Sequence, residues 1–175
     1  MSTALASPLR KPSDATERFD AIAGLPFGFI GVRTHESQVA EICFLQGEFR
    51  PKAATNALAQ RVVDQLLAYC IDSSAPIDLP LAIEGTEFQR RVWEQIVRIP
   101  TGSTVTYGDL ARRLSAEARA VGQACGDNRL PLAIPCHRVV AASGIGGFAH
   151  HRGGAYEAIK RWLLLHEAGS ELRLT

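Results

Sequence analysis

The sequence predicts an α/β (α+β) protein in two parts. Residues 1–80 read as a small N-terminal α/β domain with an antiparallel hairpin, one helix and a linker. Residues 81–175 read as a mostly helical C-terminal domain containing a helix-turn-helix. Three observations carry this. Two β-type runs, "GFIGVRT" and "QVAEICFL", are separated only by "HES", which is hairpin spacing. From Ala53 onward the apolar residues recur at helical rather than alternating intervals. Between the two halves lies "DSSAPIDLP", with Pro76 and Pro80, a linker by its breakers.

Taken in order, residues 1–24, with Pro8, Pro12 and Gly24, read as a frayed lead-in before the hairpin. "AATNALAQRVVDQLLAYC" places Leu58, Val62, Leu66 and Cys70 at four-residue steps, an amphipathic helix. After the linker, "GTEFQRRVWEQIVRIP" opens with Thr86 and Gln89 in capping-box spacing. Its apolar face is Phe88, Val92 and Ile96, and Pro100 stops it. "TVTYGDLARRLS" gives a helix capped at Thr106, and "EARAVGQACGDN" gives a second short helix after a tight turn. Ala118, Ala120, Gly122 and Ala124 keep that second helix small-residued, with Arg119 projecting. The last helix, "GGAYEAIKRWLLLHEAG", presents Ile159, Trp162, Leu163 and His166 on one face.

Composition bounds the function. A chain of 175 residues that is 46% hydrophobic and 21% charged is globular, with room for one ordinary domain or two small ones sharing a core. A net charge of +1 is too small to predict tight nucleic-acid binding from electrostatics alone. The charge is uneven: residues 1–80 carry seven Lys/Arg against nine Asp/Glu, and residues 81–175 carry twelve against nine. Lys160 is the one lysine of the second half; the other cations there are arginines, which suit phosphate and base contacts as well as a solvated face. No run of 18 apolar residues occurs, so no membrane partner is expected. "MSTALASPLRKPSD" lacks the continuous apolar core of a signal peptide, so a cytoplasmic location is expected. Cys43, Cys70, Cys125 and Cys136 form no CxxC pair and are expected as free thiols.

The chemistry concentrates in "IPCHRVV", residues 134–140. Cys136 can be a reactive thiolate, a metal ligand or packing. Zinc sites want close ligand pairs, and "PCHR" has no second cysteine three positions on, so no metal is expected. A reactive thiol needs help against a free pKa of about 8.5. His137 is the base at hand, acting directly or through a bridging water, and Glu167 in "LLLHEAG" is a carboxylate that could orient it if the last helix packs back over the loop. Against this stands plain structure: a core cysteine, a satisfied histidine and a glutamate at a helix end.

Together these stretches resemble the O6-alkylguanine-DNA alkyltransferases, the methylated-DNA–protein-cysteine methyltransferases. The matching pieces run in the family's order over roughly residues 76–169: "GTEFQRRVW", "IPTGSTVTYGDLA", "RAVGQA", Asn128, "IPCHRVV", "SGIGGF" and "LLLHE". The resemblance implies a ribonuclease H-like N-terminal domain and a winged-helix-like DNA-binding domain. It implies irreversible, single-turnover transfer of an alkyl group from O6-alkylguanine, with O4-alkylthymine as an open further substrate, to Cys136, and no cofactor. His137 would activate the thiol through a water, Glu167 would orient His137, and Asn128 would hold the active-site loop. Tyr107 would lie beside the flipped base and the adjoining phosphate and protonate the leaving guanine. Arg119 would enter the base stack, while Ala118, Ala120 and Gly122 let the helix lie in a minor groove. Carbonyls of Cys136 and Val139 would hold the guanine amino group, Pro131 would touch the alkyl group and Phe148 would line the pocket. The implied partner is double-stranded DNA carrying O6-alkylguanine, bound by a monomer, with cooperativity open. Two rivals remain: a lesion-recognition protein that flips the base without repairing it, and a Cys/His thiol hydrolase.

The sequence departs from the family's pattern in three places. The turn between Tyr107 and Arg119 is shorter, and Arg129 follows Asn128 where many members have proline. In "GGFAHHRGGAYE", Ala149, His150, His151 and Arg152 are inserted before a Gly pair. Ala149 offers only its backbone N–H where some members offer a serine. His150 and His151 read as exposed loop residues, or as a pH-sensitive contact.

Overall fold

Three antiparallel strands, rather than a two-stranded hairpin, open the fold: β1 (Ala21–Leu25), β2 (Gly28–His35) and β3 (Gln38–Leu45), paired in that order. The structure is a computed structural model that describes residues 16–150 and 153–169. The hairpin turns at Glu36, which adopts a left-handed φ of 52°, and its register pairs Val32 with Ile42. β1 corrects the expectation that residues 1–24 are a lead-in. "AIAGL" is too short to show alternation by itself, and it is recruited because Ala21↔Val32 through Leu25↔Gly28 complete the ladder on β2. Pro8 and Pro12 lie outside the described residues, as do His151 and Arg152.

One face of the sheet packs on α1 (Ala57–Ile71), whose first turn is capped by the Asn56 side chain accepting from the Ala59 amide. The buried face of α1 is Ala59, Val62, Leu66 and Tyr69, not the four-residue series ending at Cys70. Each i+4 step overshoots a full turn by about 40°, so the true stripe mixes three- and four-residue steps and lands on Tyr69. The opposite sheet face carries a small cluster around Phe19 and Ile22. The linker is pinned: the Val39 amide donates to the Pro80 carbonyl at 2.7 Å and Ala82 donates back to Val39 at 2.9 Å, laying Leu81 against β3. Buried Glu41 accepts from Arg18 at 2.7 and 2.8 Å and from Arg33 at 3.2 Å, and lies 3.5 Å from Arg129 of the second half. One apolar cluster runs through both halves, from Val32 and Leu66 to Trp93 and Leu163.

In the second half, α2 (Glu87–Val97) begins with the reciprocal Thr86–Gln89 capping box. α3 (Tyr107–Leu114) is capped by Thr106, and α4 (Ala118–Gly126) follows after three residues, Ser115 taking the left-handed turn at φ 52°. These two helices are the expected helix-turn-helix. The Trp93 indole donates to the Ala124 carbonyl at 2.9 Å and fixes α4 on α2. A two-residue parallel pair, β4 (Val105–Thr106) with β5 (Val139–Val140), joins the start of α3 to the chain just after Cys136. α5 (Gly154–Glu167) closes the fold. Among the described residues, no helix is long and apolar enough to cross a membrane.

Candidate active site

Cys136 begins a 3-10 turn, Cys136–Arg138, between the loop that leaves α4 and strand β5. Asn128 holds that loop at three points. Its Nδ2 donates to the Ile134 carbonyl at 2.9 Å and to Cys136 Sγ at 3.3 Å, while its Oδ1 accepts from the Leu130 amide at 2.9 Å. Cys136 is buried, 5% exposed as a residue. Burial pushes its pKa up, against the Asn128 hydrogen bond, nearby Lys160 and backbone N–H groups that favour the thiolate. Burial also pushes Cys43 and Cys70 up to about 11, so resting acidity does not single out Cys136. Its surroundings do.

His137, 1% exposed, lies 2.7 Å from Glu167 through Nε2. A carboxylate only accepts, so Nε2 carries the proton and Nδ1 presents a lone pair. Nδ1 is buried and has no protein partner among the described residues. Burial holds the imidazole below its usual 6.5, overriding the support it draws from Glu167. It is therefore a neutral base at neutral pH. Glu167 is held by more than the histidine. Tyr69 of α1 donates to it at 2.7 Å, and Arg138 donates from Nε and Nη2 at 2.9 Å each. Burial favours its protonated form, but the hydrogen bonds from His137, Arg138 and Tyr69 together outweigh burial and hold the carboxyl well below 4.5. Arg138 also donates to the Ile99 carbonyl at 2.7 Å and to Thr101 at 3.0 Å. Base, carboxylate and guanidinium form one rigid block.

Above the thiol opens a cleft of about 930 Å³, walled by α4 on one side and by residues 141–150 with Gly153 on the other. Tyr107, Ala118, Arg119, Gly122, Phe148 and Ala149 line it. Ala120 is exposed on the same helix. Arg119 is exposed and forms no ion pair among the described residues. A methyl group at Gly122 would meet no protein atom within 4 Å. A glycine inside a helix costs about 0.5–1 kcal/mol relative to alanine, and packing within this chain does not require it. Pro131 and Val139 are buried outside the cleft lining. Cys125 lies in the lining, its thiol pushed up chiefly by burial.

The most unusual buried group is Lys160 of α5, fully buried, with Nζ donating to the carbonyls of Val139 at 2.7 Å and Gly147 at 3.0 Å. It also lies 3.5 Å from the Tyr107 hydroxyl and over the Tyr107 ring. Burial pulls its ammonium down to about 8, partly countered by Cys136 and Cys125. Sequence reasoning assigned no role to Lys160, Tyr69 or Arg138. For Tyr69 the helical stripe signals burial but not its partner, and for Arg138 a signal lies in its place within "PCHR". For Lys160 the i+4 series Tyr156–Lys160 offers none, since a lysine on a helix is read as solvated. No three His, Cys, Asp or Glu side chains come together as a metal cage among the described residues.

Residues 87–169 match the family described as 6-O-methylguanine DNA methyltransferase, DNA binding domain. A methylated-DNA–protein-cysteine methyltransferase of Mycobacterium bovis is 36% identical over 125 residues, covering 68% of this chain and 76% of the relative. One of Shigella flexneri is 39% identical over 134 residues, covering 74% of each chain. The crystal structure of Mycobacterium tuberculosis OGT in complex with DNA is similar with a TM-score of 0.71 at 33% identity, over 83% of this chain and 90% of that one.

Proposed function

The chain belongs to the methylated-DNA–protein-cysteine methyltransferase family, and from that premise we propose that Cys136 takes an alkyl group from O6-alkylguanine in DNA, once per molecule. The observation that carries the reading is the buried block that follows Cys136 in the chain, in which His137 Nε2 is fixed on Glu167 at 2.7 Å and Nδ1 is left buried without a protein partner among the described residues. The Cys136 proton passes, through water, to His137 Nδ1. Sulfur attacks the alkyl carbon, an S–C bond forms, and the C–O6 bond electrons return to guanine, which takes a proton from the Tyr107 side. A thioether is stable to water, so the sulfur keeps the group. Residues 81–175 carry the DNA contacts and the chemistry, and residues 1–80 lend Tyr69 to the carboxylate.

Base access follows from α4. Ala118, Ala120 and Gly122 let the helix approach a minor groove closely, and Arg119 fills the space of the extruded nucleotide. Extrusion costs a few kcal/mol, less for a damaged pair. Phe148 and Ala149 on the opposite wall flank the flipped base. Intact mass spectrometry after incubation with a duplex carrying one O6-methylguanine tests the whole reading. A gain of about 14 Da on Cys136, saturating at one per protein, is expected for a covalent acceptor without turnover. A bound duplex with no mass gain would instead favour lesion recognition without repair.

Two further outcomes are expected. Arg119→Ala should slow transfer from duplex DNA by about tenfold or more while leaving transfer from free O6-methylguanine base nearly unchanged, since extrusion costs a few kcal/mol only in the duplex. Equal losses on both substrates would remove Arg119 from the extrusion step. The pH profile of single-turnover transfer should carry its acid limb below 6.5, because burial keeps His137 deprotonated at a pH where an exposed imidazole is already protonated. An acid limb above 6.5 would exclude His137 as the base.

A further inference from the structure

The loop wall of the cleft is tied to the helix wall. His150 Nε2 lies 2.8 Å from Asp127 Oδ1, immediately after α4, and Asp127 Oδ2 accepts from Gln89 Nε2 at 2.9 Å. The capping-box glutamine of α2 thereby aims the carboxylate that receives the loop histidine. The imidazole lies directly on Gly126, where an added Cβ would stand 2.3 Å from the ring. Only glycine fits there while the ring stays in place. The chain also bends sharply to deliver the histidine. Ala149 and His150 are consecutive non-glycine residues at positive φ, 50° and 66°, a conformation that persists only where surrounding contacts impose it. Hydrogen bond, glycine seat and strained backbone are three separate observations at one place. His150 itself lines the cleft above Cys136.

We propose that His150, tied to Asp127 and seated on Gly126, is a positioning residue that sets the width of the cleft and so the size of alkyl group admitted to Cys136. The inference rests on the alkyl-transfer reading and adds its size selectivity. Neutral and protonated imidazole both offer an Nε2–H to the carboxylate, so the tie does not depend on the charge of His150. The physical logic is that of a pocket wall. Even a single methylene in an apolar pocket is discriminated by about 10- to 200-fold, and a wall held at one point loses such discrimination when the point is released.

Two variants release the tie by different routes. His150→Ala removes the side chain, and Gly126→Ala places a methyl group where the ring lies and so pushes the imidazole off Asp127 with both polar side chains still present. Single-turnover rates are measured on duplexes carrying O6-methylguanine or O6-benzylguanine, and Cys136 labelling by iodoacetamide is followed by peptide mapping. The benzyl-to-methyl rate ratio should rise about tenfold in each variant, and the double variant should add nothing further, as expected for two lesions of one contact. Cys136 labelling should rise severalfold in both. Methyl and benzyl rates that fall together, with the ratio unchanged, would overturn the proposal. The labelling arm separates the two readings. If the wild-type chain transfers no alkyl group, the functional reading fails, yet faster labelling in both variants still supports the tie and equal labelling sinks it.

Discussion

Cys136→Ser should bind the alkylated duplex as the wild-type chain does and acquire no alkyl group at any incubation time. Serine keeps the branching and a hydrogen-bond acceptor toward Asn128, which lies 3.3 Å from Sγ, and the two other Asn128 bonds, to Ile134 and Leu130, hold the loop in either case. What is lost is the nucleophile. A hydroxyl is far harder to deprotonate than a thiol, and the same burial that pushes the thiol up acts on an alkoxide with greater force. A neutral hydroxyl is also a far poorer nucleophile than a thiolate toward an alkyl carbon, and His137, its pKa held below 6.5 by burial, does not make up that difference. Intact mass measures the transfer, and fluorescence anisotropy with a labelled duplex measures binding. Residual transfer in the serine variant would mean that another cysteine, Cys125 in the cleft lining being nearest the chemistry, accepts the group. Loss of binding along with transfer would mean that the thiol is part of the DNA site.

Local rules made much of this molecule legible and long-range pairing made the rest invisible. The Thr86–Gln89 capping box and the Thr106 cap were readable because the partners sit three residues apart, and both bonds are present. The helix-turn-helix was readable from two short helical patterns and a three-residue turn. β1 was not, because five residues ending at Leu25 become a strand only when β2 supplies partners. The same limit applies at the site. "PCHR" announces Cys136, His137 and Arg138, but nothing near Tyr69 in sequence says that its hydroxyl meets Glu167, 98 residues on. Lys160 is the sharpest case, since helical position and charge both argue for solvent. Its burial follows from two carbonyls, Val139 and Gly147, that the active-site turn and loop leave facing inward. His150 stood as a loop residue until Asp127 and Gly126 were brought beneath it by α4.

Glu167→Gln is expected to damage stability and chemistry together, and pH separates the two. The carboxylate is 2% exposed and accepts from Tyr69, His137 and Arg138, whose side chain is itself only 12% exposed. An amide at this place turns an NH2 toward groups that all donate, and leaves the guanidinium without its counter-charge. Breaking a buried charge pair from one side costs on the order of 3 kcal/mol. Transfer should fall by roughly 10²–10⁴-fold, the usual worth of a positioned general base, because His137 loses the acceptor that fixes its tautomer. The sign of the pH dependence follows from the depressed carboxyl. The unfolded chain binds a proton near 4.5 that the folded chain refuses, so the stability owed to Glu167 is full above that value and is lost as pH falls below it. The gap in unfolding free energy between wild type and variant should therefore be wide at pH 7 and shrink steadily below 4.5. A gap independent of pH would assign the cost to packing rather than to charge. If the gap shrinks with acid while the transfer deficit persists wherever both proteins are folded, the carboxylate has two separable duties, closing the fold across Tyr69 and holding His137 as the base.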